Sequence, residues 1–131
     1  MIDWESRYIS LIMSEAPPSG MGTDGISDFQ IPLDEDRNYT IVVSRAGDRP
    51  ANATSENGVA WVDWGTQGEG LDDELNRPDF GLVLFRFMHT NPGWKHDPQR
   101  IVEPGTEAKV MGPCFPRLSY TDKATFEAGG A

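Results

Sequence analysis

Four stretches of the chain carry the patterning of strands. If extended, Arg7 to Met13 sets Tyr8, Ser10 and Ile12 on one side and Ile9, Leu11 and Met13 on the other. Tyr39 to Ser44 is rich in β-branched residues and bounded by polar turn signals. Val59 to Trp64 turns Val59, Trp61 and Asp63 one way and Ala60, Val62 and Trp64 the other. Phe80 to His89, the longest apolar segment, opposes Leu82, Leu84, Arg86 and Met88 to Val83, Phe85, Phe87 and His89, and reads as a central strand. Short strands are also expected around Lys109 to Met111 and Leu118 to Tyr120, with single helical turns at 51–57 and at 121–127. The latter begins from Thr121 or Asp122 as N-cap.

Between these segments the punctuation is dense. Gly and Pro number 14 and 10 in 131 residues, which argues against long helices and for many turns. Pro17 to Gly25 reads as an irregular connection running on to Pro32 and the acidic Asp34–Asp36; Arg45 to Pro50 cannot be regular; Asn57-Gly58 marks a turn; Gly65 to Pro78 is a glycine-rich acidic surface excursion. Asn91-Pro92-Gly93 closes the long apolar strand, and Pro98 to Gly105 is a further proline-bounded connection. The expected architecture is therefore all-β: one β-sandwich domain over 1–131, of jelly-roll type, with long Gly/Pro-rich loops and little helix.

Charge narrows the function classes. Lys and Arg total 11 against 21 Asp and Glu, a formal −10. Such a chain is repelled by phosphate backbones and anionic lipid, and the basic residues stand singly along it, so neither nucleic acid nor membrane is expected as a partner. No apolar run reaches the roughly 20 residues that span a bilayer, and the first residues lack a signal layout, which together predict a cytoplasmic protein. The single cysteine, Cys114, has no disulfide partner or neighbouring metal ligands and reads as a small buried hydrophobe. Asn38 and Asn52 begin glycosylation acceptor tripeptides, a pattern that recurs by chance.

Tyr39–Ser44, Arg49-Pro50-Ala51-Asn52-Ala53, Gly58–Gly65 and Phe80–Met88 together follow a recognisable layout. It resembles the C-terminal domain of a group of bacterial proteins catalogued as domain of unknown function twelve-fourteen. The resemblance covers about residues 39–92. It implies a jelly-roll sandwich and carries over no catalytic residue.

Arg86 is the first candidate for chemistry. A guanidinium on an apolar strand face must be paired or reach solvent, and Asp63 is its natural partner; the alternative is a clamp for a ligand carboxylate. Trp61, Trp64 and Trp94, with Tyr120, could line a pocket or a flat stacking surface; Trp61 and Trp64 stand three apart on a strand, so at most one of them belongs to the core. His89 and His96 are the only histidines. Their spacing is not that of a metal site and no cofactor is expected; the alternative is that His89, His96, Asp97 and Glu103 converge only on folding. No serine sits in a nucleophile elbow, and Asp72, Asp73 and Glu74 lack the alternation of a calcium loop.

The expected function is a non-catalytic module that binds a small molecule or a protein partner through Trp64, Arg86, His89 and Trp94. The alternatives are a small hydrolase or lyase using His89 or His96 as base with Arg86 holding an anionic substrate, and a self-assembling subunit forming homo-oligomers.

Overall fold

A computed structural model describes residues 5–15, 20–66 and 81–129. It is β-rich with little helix. The strands are β1 (Ser6–Glu15), β2 (Gly22–Ser27), β3 (Thr40–Ser44), β4 (Val59–Asp63) and β5 (Gly81–Thr90), and the helices α1 (Glu107–Met111) and α2 (Lys123–Glu127) are each five residues long. Among the described residues no helix is long and apolar enough to cross a membrane. The acidic excursion lies outside them beyond Thr66.

The strands make a three-stranded sheet in the order β2-β1-β5 and a two-stranded sheet of β3 and β4. β1 and β2 are antiparallel, with Leu11 opposite Ile26 and Met13 opposite Asp24, and a bulge follows Met13. β3 and β4 run parallel in the register Thr40↔Val59 to Ser44↔Asp63. Parallel neighbours cannot be joined by a tight turn. The connection from Arg45 to Gly58 supplies the crossover: two 3-10 turns flank a folded-in segment in which Pro50 and Ala53 are buried. Gly58 ends it at φ +72, a left-handed value that glycine adopts without steric cost.

Two compact units divide the chain. The larger takes the described residues 10–66, 81–85 and 121–129, and the smaller takes 5–9 and 86–120. In the larger unit Leu11, Met13 and Val62 form the buried centre, and Ile26, Ile41, Val43, Trp64, Val83 and Phe85 pack against it. All five strands thus supply apolar side chains to one core. α2 is capped by Asp122, whose carboxylate accepts from Thr125 N at 2.8 Å. It docks on the crossover, where Ala51 N donates to Glu127 Oε1 at 2.7 Å.

In the smaller unit Asn91 N donates to Glu5 O at 2.8 Å and Ser6 Oγ donates to Met88 O at 3.0 Å. A 3-10 turn over Pro98–Arg100 is capped by Asp97, whose Oδ1 accepts from Gln99 N and Oδ2 from Thr90 Oγ1, at 2.9 and 3.0 Å. These bonds satisfy a carboxylate that is only 6% exposed.

Four expectations need correction. β5 stands at the described edge of its sheet and β1 is in the middle, so Leu82, Leu84, Arg86 and Met88 are exposed while Val83, Phe85 and Phe87 are half-buried. Lys109 to Met111 is not a strand but part of α1, a run of helix-forming residues ended by Gly112 at φ +55 and followed by Pro113. Leu118 to Tyr120 forms no strand, and Leu118 and Tyr120 are 80% and 103% exposed. Gly22 to Ser27, expected to be irregular, is β2. It pairs with β1, and on β4 Asp63 N donates to Asp24 Oδ2 at 2.9 Å while Thr23 Oγ1 donates to Asp63 O at 3.0 Å.

Candidate ligand-binding site

Of the four residues singled out for binding, Trp64 belongs to the larger unit and Arg86, His89 and Trp94 to the smaller. The ring of Trp64 packs against the core on one hand and carries Arg45 on the other, the guanidinium carbon 4.9 Å from the ring centroid and Nη1 donating to Gly65 O at 3.1 Å. Trp61 is covered in the same way by Arg49 at 4.5 Å, and its Nε1 donates to Ser44 Oγ at 2.9 Å. Each tryptophan has therefore found a cation from the chain itself. Crossover arginines stacked on the indoles of β4 and of the residue that follows it are a packing device.

Arg86 reaches solvent from its strand. The Asp63 carboxylate is engaged locally, with Oδ1 accepting from Gly65 N at 2.8 Å. His89 is exposed and holds φ +52, a left-handed conformation that breaks the alternation of β5 at Met88 and His89. Trp94 is half-buried with Phe87 beside it, ring centroids 6.2 Å apart and planes tilted by 46°.

His96 is held differently from His89. Its Nδ1 lies 3.2 Å from Val110 O, and since a carbonyl only accepts, Nδ1 carries the proton. The ring rests over Gly112, where an added Cβ would sit 2.8 Å from Cε1. Neither His96 nor Asp97 is arranged as a base with an orienting carboxylate: the imidazole answers to a backbone carbonyl, and the carboxylate to Thr90 and Gln99. Among the described residues no three His, Cys, Asp or Glu side chains converge on a point a metal could occupy.

At His96 the smaller unit has a shallow, open cleft of about 470 Å³, lined by residues of the Pro98–Arg100 turn, α1 and the segment between them. Lys95, Arg100 and Lys109 bring positive charge to it, Glu103 brings one carboxylate, and Val102 and Val110 bring carbon surface. Arg100 is fixed by Nη2 donating to Pro92 O at 2.9 Å.

The lysines, Arg100 and the two valines of this cleft were not legible as a group from spacing. One signal does mark the region. Residues 86–120 hold Arg86, Lys95, Arg100, Lys109 and Arg117 against Asp97, Glu103 and Glu107, a net +2 in a chain of −10. The segment stands out by its scarcity of acidic residues, three of the chain's 21, and its basic residues form no run.

Cys114, expected to be buried, is exposed, so it is not a core hydrophobe. Partial desolvation, with the Glu5 carboxylate adding to it, holds its thiol above the ordinary value, which disfavours the reactive thiolate. Asn52 is half-buried, its Nδ2 donating to Phe126 O at 3.4 Å, a poor position for a glycan. Comparison with family models, with curated proteins and with solved structures gives no match.

Proposed function

We propose that this protein is a non-catalytic module that binds a small ligand in the cleft between the Pro98–Arg100 turn and α1. The grouping of side chains carries the reading: in a shallow, open depression of about 470 Å³, three cations stand with two valines and one carboxylate. Arg86, His89 and Trp94 lie in the same unit but are not among the residues that line the cleft; Trp64, stacked on Arg45, is a framework residue. Three cations in so acidic a chain suit a small molecule better than the long phosphate track of a nucleic acid.

The fold reading attached to this proposal is a β-sandwich, supported by a core to which both sheets of the larger unit contribute. The jelly-roll assignment and the kinship over residues 39–92 are proposed with it, although the parallel β3–β4 pair departs from an all-antiparallel roll. A titration of the protein with a panel of small metabolites, followed by tryptophan emission and by amide shifts, tests the function. Saturable changes in residues 95–110 without product formation are expected. Turnover of a ligand, or a panel that leaves those amides unmoved, overturns it.

A second reading, self-association, has its own support. Leu82, Leu84 and Met88 on the outward face of β5 are 36%, 51% and 41% exposed on an edge strand. Light scattering at micromolar concentration distinguishes it: a dimer that Leu84→Lys dissolves favours assembly, and a monomer removes it.

A further inference from the structure

We infer that the ligand of this cleft, accepting the binding role above, is a small organic dianion with an apolar body. The charge count comes first. Leaving His96 aside, Lys95, Arg100 and Lys109 against Glu103 give the lining a net +2, which a doubly charged ligand neutralises and a singly charged one does not. Among the described residues no ion pair involves Lys95, Arg100 or Lys109.

The cations are also carried on a prepared frame. Arg100 ends a turn that begins with Pro98 and is capped by the buried Asp97, and its guanidinium is anchored through Nη2 to Pro92 O, leaving other N–H groups for a ligand. His96 is fixed through Nδ1, which leaves Nε2 as an acceptor for a ligand hydroxyl and not as a donor to its anionic oxygens. Lys109 is presented by α1 and lines the same cleft as Arg100.

Apolar surface completes the chemistry. Val102 is 87% exposed and contributes nothing to a core, yet it lines the same cleft as the half-buried Val110. A valine left in water beside three cations suits a ligand that joins an anionic head to a hydrocarbon or aromatic body. Glu103 adds one acceptor for a ligand hydroxyl and repels species of higher negative charge. An aryl or alkyl phosphate and an aromatic dicarboxylate share this chemistry.

The test is a titration of the isotope-labelled full chain, followed by amide shifts across residues 95–110. The probes are phenyl phosphate, phthalate, inorganic phosphate, benzoate and benzyl alcohol. Phenyl phosphate or phthalate, whichever source applies, should bind about tenfold more tightly than benzoate or inorganic phosphate, and more weakly as salt rises. Arg100→Gln and Lys109→Gln should each weaken binding about five- to tenfold, given how open these positions are, while Lys123→Gln on α2 leaves it unchanged. Far-UV circular dichroism confirms that each variant is folded. If benzoate or benzyl alcohol binds as tightly as the dianions, or if both charge-removing variants bind normally, the dianion assignment is wrong while the cleft stands as a binding site. If neither dianion moves these amides, the assignment is equally wrong, and the metabolite panel then decides whether the cleft binds anything.

Discussion

Replacing Gly112 by alanine should destabilise the smaller unit for two separable reasons. Gly112 ends α1 at φ +55 and ψ −124, a region that side-chain-bearing residues avoid, and forcing alanine into it costs about 1–3 kcal/mol. The new Cβ would also lie 2.8 Å from His96 Cε1 and 2.9 Å from Nδ1, closer than real contacts allow. The ring must move, and the 3.2 Å contact of Nδ1 with Val110 O is lost, worth about 1 kcal/mol. Urea unfolding of Gly112→Ala should therefore show a loss of about 2–4 kcal/mol. The same substitution in a His96→Ala background should cost about 1 kcal/mol less, because the clash has been removed and only the backbone term is left. Equal costs in the two backgrounds would refute the packing argument. A loss well under about 1 kcal/mol in the native background would refute the backbone argument as well.

Three further outcomes are expected. Gly81→Ala places a methyl group against Met13 Cε, 2.6 Å from Trp64 Nε1 and 3.0 Å from the Ser14 carbonyl, so denaturant melts should show a loss of about 1–3 kcal/mol, and a neutral result contradicts the close packing of β5 on the core. Arg49→Lys gives up the fork that donates from Nε and Nη2 to Ala53 O as well as part of the stacking on Trp61, and should cost about 1–2 kcal/mol with a change in tryptophan emission; unchanged emission contradicts the stack. Hydrogen bonds from Thr125 N and Oγ1 hold the Asp122 carboxyl below its ordinary value. The cap is therefore complete above the unfolded carboxylate range and is lost as pH falls through that range toward the lowered folded value. Protection of the Thr125 amide should fade over that interval in the native protein, whereas Asp122→Asn, having no charge to lose, should show a flat profile.

Strands backed by strong β-branched or alternating sequence were readable because side-chain preference and burial agree there. β1, β3, β4 and β5 fall where pattern places them, within one or two residues. β2 was hidden because Gly-Thr-Asp-Gly has little strand preference of its own. It is held by a ladder to β1 and by side-chain bonds from Thr23 and Asp24 to β4, which are tertiary facts. α1 was misread because three residues are too few to separate a strand period from a helical one, although Gly112-Pro113 was a usable stop signal. The positions of the candidate residues show the same division. The alternation of single strands was legible, but not which face of β5 meets solvent, and the arginines that cover Trp61 and Trp64 come from a crossover whose path only folding defines. The cleft joins a turn and a helix through residues up to 15 positions apart, from Lys95 to Val110, and no local period connects them.

The crossover between β3 and β4 also sets how this chain tolerates insertion and deletion. Strands pointing the same way are offset by their full length, so removing residues between Arg45 and Gly58 pulls the ladder out of register, where an ordinary hairpin would simply tighten. Lengthening it is far milder, about 0.6 kcal/mol for each doubling of a flexible loop. Gly47 is exposed with open space around its Cα, which makes it the natural place to splice in an epitope or a fluorophore-bearing peptide.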